Sequence, residues 1–115
     1  MVDKYRRHIV AYADYFKNFR KTLPKKDLAK LYHVFLYIMT LDRIPIKYFK
    51  AVTSVRGLYE IRVECEGRIY RVFCCLDEEQ VVLFNAFQKK TRKAPQGEIE
   101  LAKRIMLEYY SKGGK

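Results

Sequence analysis

The chain has 115 residues, enough for one domain with a hydrophobic core and too few for two independently folding units. Half of its residues are hydrophobic and 15% are aromatic, which excludes an intrinsically disordered chain. A formal net charge of +11, from 24 Lys and Arg against 13 Asp and Glu, indicates a polyanion as partner, with an acidic protein or an anionic membrane as alternatives.

The N-terminal part of the chain predicts one strand and two helices. Residues 8–12 are predicted as a short strand, and aromatic side chains recur at helical spacing over residues 15–19. That first helix should end near Pro24, which can open the next helix because its missing N–H would have no partner there. An apolar stripe at positions i, i+3, i+4 and i+7 predicts the second helix over residues 24–41, and residues 42–46 then break the pattern as a connector.

The C-terminal part predicts three strands and a last helix, because the hydrophobic period changes from 3.6 to 2 at Leu58. The strands are expected from Leu58 to a turn at Glu66-Gly67, from Arg68 to Leu76, and from Val81 to Phe87. Short polar turns join them into an antiparallel meander, with Glu60, Glu64 and Glu66 on the side that faces water. Pro95 begins the last helix, so the chain is predicted to be an α+β domain.

The cysteines and the apolar segments indicate a cytoplasmic protein. Cys65, Cys74 and Cys75 lie in strand-like apolar surroundings, and no histidine accompanies them at the spacing of metal ligands. They are therefore expected to be reduced core residues, and not a disulfide framework or a metal site. Residues 1–7 lack the apolar run of a signal peptide, and residues 31–41 are far short of the ~20 residues that span a bilayer. We expect no metal and no other cofactor.

A basic segment follows the last predicted strand. Residues 88–94 hold four cations, and no acidic residue occurs between Glu79 and Glu98. Clustered cations on a short loop attract phosphate, and a helix that begins just beyond the loop can add backbone N–H donors. The alternative is a solvated basic turn without a ligand.

Two arginines lie within the predicted strands, Arg62 in the first and Arg71 in the second. By alternation Arg71 shares a face with Ile69 and Phe73, so part of its side chain is predicted to be buried. A partly buried arginine requires a partner, which could be a carboxylate such as Glu60 or an anionic ligand. A structural Glu–Arg pair between strands and a functional clamp both remain open.

Four sequence motifs occur in one order in the C-terminal half of the chain. They are Gly57-Leu58-Tyr59-Glu60-Ile61-Arg62, Gly67-Arg68-Ile69-Tyr70-Arg71-Val72, Phe87-Gln88-Lys89-Lys90-Thr91-Arg92-Lys93-Ala94-Pro95 and Glu98-Ile99-Glu100-Leu101-Ala102. In this order and spacing they resemble the phage-derived, HigB-like branch of the RelE/ParE toxin superfamily, over roughly residues 24–111. The resemblance implies one RelE-like domain over residues 1–115, with a twisted, mainly antiparallel sheet, two N-terminal helices and a C-terminal helix.

The same resemblance implies the toxin of a type II toxin–antitoxin system. Toxins of this kind are metal-independent endoribonucleases that cleave mRNA, usually on the ribosome, and a helix-turn-helix, HigA-like antitoxin encoded beside the toxin inhibits them. Cleavage requires a base for the ribose 2′-OH, cations for the phosphorane and an acid for the leaving 5′-oxygen. Because the chain has no histidine near its basic loop, the acid and the base stay unassigned.

The residues that match the family are expected to converge on a single anionic pocket. Arg62 and Arg71 match the family's strand arginines and should clamp the phosphate together. Lys89 and Lys90 match its Phe-x-Lys-Lys-Thr segment and would stabilise developing charge, or act as the base if crowding with other cations lowers a lysine pKa. RNA contacts are assigned to Tyr70, Thr91, Arg92 and Lys93. Tyr70 could stack on a base or donate a proton, with core packing as the alternative.

Two other functions are compatible with the same sequence. ParE-type relatives share the fold and poison gyrase through protein contacts, so the fold alone does not decide between them. A plain RNA- or DNA-binding module would also use the positive charge, although the chain lacks the exposed aromatic motif of common single-strand binders. Strand arginines together with a basic loop favour the nuclease.

Overall fold

The computed structural model describes residues 5–92 and 95–113. Its elements, in chain order, are β1 (His8–Ala11), α1 (Tyr15–Arg20), α2 (Lys25–Thr40), β2 (Phe49–Ala51), β3 (Leu58–Cys65), β4 (Arg68–Asp77), β5 (Gln80–Lys89) and α3 (Gln96–Ser111). In this part of the chain the five strands form one sheet in the order β1-β5-β4-β3-β2. β1 runs parallel to β5, and the other neighbouring strands are antiparallel. The predicted α+β fold is confirmed, and it is compatible with a RelE-like fold.

Helices cover both faces of the sheet. α1 and α2 lie on one face, where Leu31 and Ile38 belong to the same core cluster as Ile61 of β3. α3 lies on the opposite face, where Ile105 packs in a second cluster with Phe84 of β5. We call these the α1–α2 face and the α3 face. Because side chains alternate along a strand, the register of each strand decides on which face a functional residue lies.

The apolar segments of the sequence belong to these two clusters. Cys65, Cys74 and Cys75 are buried thiols without a disulfide, as predicted. Burial raises the pKa of the Cys74 and Cys75 thiols, which therefore stay neutral at physiological pH. Within residues 31–41, four apolar side chains lie on the buried side of α2: Leu31, Val34, Phe35 and Ile38. Among the described residues, no helix is both long and apolar enough to cross a bilayer.

The sequence pattern missed one strand, β2. It has only three residues and pairs with β3, with Phe49 opposite Ile61, Lys50 opposite Glu60 and Ala51 opposite Tyr59. Three residues are too few to show a period of 2, and Lys50 and Ala51 are exposed. The pairing is stabilised on one side by Phe49, whose ring stacks on that of Tyr59 with centroids 5.2 Å apart.

A β-bulge in β5 decides to which side of the sheet the side chains in the C-terminal half of the strand point. Phe84 and Asn85 of β5 together oppose the single residue Phe73 of β4. Both therefore face α3: Phe84 lies in its cluster, and the Asn85 side-chain amide donates to the carbonyl and to Oε1 of Glu98, each at 3.0 Å. The extra residue shifts the alternation beyond it by one, which turns Lys89 to the α3 face.

The C-terminal end of α2 is capped by a side chain from outside the helix. The guanidinium of Arg7 donates to the carbonyl oxygens of Ile38 and Leu41 through Nη1, at 2.9 and 2.8 Å, and to that of Asp42 through Nη2, at 2.9 Å. The last carbonyl groups of a helix have no partner within the helix, and a positive charge interacts favourably with that end of its dipole. Arg7 supplies both the donors and the charge.

Replacing Arg7 by alanine should lower the free energy of unfolding by about 1–2 kcal/mol, because the carbonyl groups lose a charged donor. Arg6→Ala is the matched control. Among the described residues the Arg6 side chain forms only an exposed ion pair with Asp42, at 3.5 Å, and its loss should cost less than ~0.5 kcal/mol. Urea denaturation of both variants measures the difference, and equal effects would show that Arg7 does not act as a cap.

A buried carboxylate joins α2 to β4. Asp27, in the first turn of α2, is 0% exposed and accepts hydrogen bonds from Nε and Nη2 of Arg68, both at 2.7 Å. The hydroxyl of Tyr70 donates to the same carboxylate. Arg68 and then Tyr70 hold the pKa of the Asp27 carboxyl well below its usual range. Asp27 is therefore ionised at neutral pH and fixes both partners on the α1–α2 face.

Candidate functional site

Two neighbouring rows of residues cross the sheet near the end of β5. Arg62 of β3 lies opposite Arg71 of β4, and Arg71 lies opposite Phe87 of β5. In the next row Ile69 lies opposite Lys89. Residues directly opposite each other point to the same side of a sheet, and Phe87 packs against the cluster under α3. Arg62, Arg71 and Lys89 therefore all belong to the α3 face.

The two arginine side chains nevertheless diverge. Nη1 of Arg71 lies 3.3 Å from Oε2 of Glu60, and the arginine side chain is 15% exposed. Nη2 of Arg62 lies 3.4 Å from Oε1 of Glu64, at an exposed edge of the sheet, and lines a different cleft. The predicted partial burial of Arg71 is confirmed, and of the two partners left open by the sequence, a carboxylate or an anionic ligand, the structure shows the carboxylate of Glu60. The expected clamp of both arginines on one anion is wrong for this structure, because each guanidinium is drawn to its own carboxylate.

Glu60 is buried between two cations. Its residue exposure is 5%, with Arg71 on one carboxylate oxygen and Nζ of Lys50 at 3.6 Å from the other. The prediction that placed Glu60 on the side facing water is therefore wrong, although Glu64 and Glu66 are exposed as expected. The reason is β2, which covers Glu60 with Lys50 directly opposite and was not predicted.

Glu60 and Arg71 open into a cleft of about 550 Å³ on the α3 face, between the loop after β2 and the start of α3. We call it the Glu60 cleft. Its polar lining is formed by Lys50, Thr53, Ser54, Glu60, Arg71 and Gln96. Nε of Arg71 is buried and has no hydrogen-bond partner among the described residues, so this guanidinium retains an unused donor. The cleft thus combines one carboxylate with two cations.

The cations at the end of β5 have no carboxylate partner in the described part of the chain. Lys89 is half-buried, and Lys90, Thr91 and Arg92 are exposed where the strand gives way to the loop. None of the three cations forms an ion pair with a described residue, in contrast to Arg62 and Arg71. They are available to an external anion. Lys93, which was predicted to contact RNA, lies outside the described residues.

The sequence match to known families covers most of the chain. A family model described as "Phage derived protein Gp49-like (DUF891)" matches residues 4–107. The chain belongs to this family. The Gp49-like family is related to RelE- and HigB-type toxins, in agreement with the resemblance that the four sequence motifs carry. None of the curated proteins compared with the chain matches it.

In this Gp49-like protein Tyr70 takes the second of the two roles that the sequence left open, packing in the core. It is 2% exposed, its hydroxyl donates to Asp27, and its ring meets that of Phe19 edge-on with centroids 6.0 Å apart. Burial, followed by the Asp27 carboxylate, raises the pKa of the Tyr70 hydroxyl. With the ring enclosed and the proton committed to Asp27, the geometry favours core packing over base stacking or proton donation.

The Glu60 cleft of the Gp49-like protein has groups for two kinds of chemistry. An ionised carboxylate can take a proton from a hydroxyl group that it reaches. The guanidinium and ammonium groups beside it can stabilise negative charge on a phosphate, because both are held in place before the substrate arrives. No group of three or more His, Cys, Asp or Glu side chains arranged for a metal ion occurs among the described residues.

Sequence reasoning missed two members of this site, Glu60 and Lys50. Glu60 was recognised only as a partner for Arg71, since its alternation with Ile61 and Val63 is the same as that of the exposed Glu64. The one signal was the opposite-charge pair itself, because a partly buried arginine needs a carboxylate nearby. Lys50 gave no signal, since its position depends on the pairing of a three-residue strand.

Proposed function

We propose that this Gp49-like protein is the HigB-like toxin of a type II toxin–antitoxin system and that it cleaves mRNA in the Glu60 cleft. One observation carries the proposal. The Glu60 carboxylate lies in an open cleft between Arg71 and Lys50, on the sheet face that also carries Lys89, which has no ion pair with any described residue. A proton acceptor flanked by fixed cations is the arrangement that cleavage of an RNA phosphodiester requires.

The reaction assigns one role to each side chain of the cleft. Glu60 takes the proton of the ribose 2′-OH as that oxygen forms a bond to the adjacent phosphorus. Arg71 and Lys50 stabilise the negative charge that builds up on the non-bridging oxygens. The bond from phosphorus to the 5′-oxygen then breaks, and the 5′-oxygen takes a proton from the Glu60 carboxylic acid or from water. The products are a 2′,3′-cyclic phosphate and a 5′-hydroxyl.

Binding of the message is assigned to the cations at the end of β5. Lys89, Lys90 and Arg92 contact phosphates that flank the cleavage site, and the Thr91 hydroxyl can donate to one of them. Arg62, held by Glu64 at the sheet edge, contributes to the field and not to the reaction. The ribosome and a HigA-like antitoxin are partners proposed from the resemblance, in the cytoplasm where message is translated.

The proposal is tested by incubating the protein with mRNA, with and without ribosomes, and mapping the new 5′ ends and their end groups. Fragments with 5′-hydroxyl and 2′,3′-cyclic phosphate ends are expected. Intact message together with gyrase-linked DNA breaks would support a ParE-like poison in its place. If message and DNA both stay intact while the protein still binds RNA, the protein is an RNA-binding module without nuclease activity.

Replacing Lys89 and Lys90 together by glutamine should weaken RNA binding and its salt dependence. Each phosphate contact on single-stranded RNA contributes about 0.7 to the slope of log K against log salt concentration, so the slope should fall by roughly 1.4. The control variant Lys103→Gln/Arg104→Gln loses the same charge from the exposed side of α3. Fluorescence anisotropy with a labelled oligonucleotide measures both slopes, and an equal decrease would mean that only net charge matters.

A further inference from the structure

A second cleft lies on the α1–α2 face, on the other side of the sheet from the Glu60 cleft. It has a volume of about 480 Å³ and is bounded by the turn between α1 and α2 and by the ends of β4 and β5. Its lining includes the aromatic ring of Phe19 and the polar side chains of Arg68, Gln88 and Lys90, whereas the ring of Phe87, another lining residue, stacks on Phe73 on the α3 face. The volume falls within the roughly 300–1,000 Å³ of small-molecule sites. We call it the Gln88 cleft.

One wall of the Gln88 cleft is fixed before any ligand arrives. Asp27 holds Arg68 by two hydrogen bonds of 2.7 Å and also holds Tyr70. The Arg68 side chain is 37% exposed, but Asp27 and Glu66, whose Oε1 lies 3.8 Å from Nη2 of Arg68, balance its charge, so Lys90 supplies the positive charge of the cleft. Asp27 itself is fully buried behind these two partners and makes no contact with a ligand in the cleft. A fixed wall lowers the entropy that binding costs.

The opposite wall carries polar groups without partners. Gln88 lies opposite Tyr70 in the sheet, so its side chain points to the α1–α2 face, where it is half-buried. Its amide forms no hydrogen bond with another described side chain, and Lys90 forms no ion pair with a described residue. A primary amide offers a donor and an acceptor side by side, which suits the edge of a nucleobase.

Two adjacent lysines at the end of β5 face opposite sides of the sheet. Lys89 lies on the α3 face with Arg71, and Lys90 lines the Gln88 cleft on the other face. An RNA strand that crosses the end of β5 would place one phosphate against these two lysines. The reacting nucleotide would then lie in the Glu60 cleft and a neighbouring base on the far side of the sheet.

We propose that the Gln88 cleft binds one unpaired base of the RNA substrate and that Gln88 selects it. The proposal rests on the proposed function and adds a specificity site to it. The ring of Phe19 supplies an apolar contact to the base, as aromatic side chains do in other single-strand sites. Gln88 hydrogen-bonds the base edge, and Lys90 interacts with its phosphate, while Arg68 stays bound to Asp27 as part of the wall. The protein should therefore cleave preferentially where one particular base lies next to the cleaved bond.

The test uses a ribosome-bound message library in which the positions around the cleaved bond are randomised. Wild-type protein should prefer one base at one neighbouring position, and Gln88→Leu should reduce that preference by roughly 5- to 150-fold, the range for a lost bidentate contact. Gln80→Leu, at the other end of β5, is the control and should keep the preference. Gln88→Glu, with acceptors only, should shift the preference toward bases that present an amino group.

The outcomes separate this proposal from the proposed function. Cleavage by all variants with one unchanged base preference would overturn the role of Gln88 and leave the nuclease intact. Absence of cleavage by the folded wild-type protein would overturn the nuclease and the specificity site with it. Loss of preference in Gln88→Leu, together with a shifted preference in Gln88→Glu, supports the base site even if one variant is partly unfolded.

Discussion

Replacing Glu60 by glutamine is expected to lower the rate of mRNA cleavage by roughly 10²- to 10⁴-fold. Glutamine keeps the shape of the side chain and can still accept hydrogen bonds from Arg71 and Lys50, but its amide cannot take the 2′-OH proton. The measurement is the rate constant for a single turnover of ribosome-bound message with the protein in excess. Thermal unfolding of the same sample establishes that the fold is retained.

Glu64→Gln provides the matched control for this prediction. Glu64 lies on the same strand and faces the same side of the sheet as Glu60, and it also pairs with an arginine, Arg62. Its side chain is 55% exposed, however, and it does not line the Glu60 cleft. Its variant should cleave at close to the wild-type rate. Equal losses in the two variants, or full activity of Glu60→Gln, would remove Glu60 from the reaction.

The largest effect on stability is expected from Asp27→Asn. The substitution removes the charge that holds Arg68 and Tyr70, in a position that is fully buried. Breaking a buried pair costs more than the pair contributes, because the remaining partners stay desolvated. Since Arg68 is partly exposed, we expect the Tm to fall by about 8–15 °C, measured by circular dichroism. Asp42→Asn, which loses only the exposed pair with Arg6, should change the Tm little.

The pH dependence of this effect follows from the lowered pKa of Asp27. A carboxyl group whose folded-state pKa lies below its unfolded value of about 3.9 stabilises the fold at higher pH. That contribution is fully present above the unfolded pKa and is lost as the pH falls toward the folded-state value. The Tm difference between wild type and Asp27→Asn should therefore be largest above about pH 5 and shrink below about pH 4. A difference that does not change with pH would contradict an ionised Asp27.

The sequence patterns predicted the helices and strands that are long enough to show a repeating hydrophobic pattern. The apolar stripe of α2 and the alternation of β3, β4 and β5 extend over enough residues to identify each element and its buried side. β2 has no such pattern, because three residues are defined as a strand only by their pairing with β3. The three-stranded meander between Leu58 and Lys89 was therefore predicted correctly, whereas the edge strand β2 beside it was not predicted.

The site was harder to predict than the fold because it depends on that edge and on one bulge. The partial burial of Arg71 follows from strand alternation, but that pattern left its partner open between a carboxylate such as Glu60 and an anionic ligand. The burial of Glu60 depends on Lys50 in β2, which no local pattern shows. The side of the sheet on which the Lys89 side chain lies depends on the bulge at Phe84 and Asn85. This extra residue reverses the alternation of side chains between the two faces beyond it.

The divergence of Arg62 and Arg71 shows a further limit of pattern-based prediction. The strand register places the two residues opposite each other on one face, as their matching motifs imply. Long side chains then follow the nearest carboxylate, which is Glu64 at the open edge for Arg62 and Glu60 in the cleft for Arg71. Strand register fixes the position of the arginine Cα atom. The guanidinium group at the end of the side chain lies several ångströms away, and the carboxylate that it pairs with decides its position.

The central claim is that the ribose 2′-oxygen attacks the phosphorus in the Glu60 cleft. It is tested most directly with a message that carries a single 2′-deoxy nucleotide immediately before a mapped cleavage site. Cleavage of that one bond should disappear while neighbouring sites are still cut, because the deoxy sugar has no nucleophile. Continued cleavage of the deoxy-substituted bond would contradict the mechanism and the role assigned to Glu60.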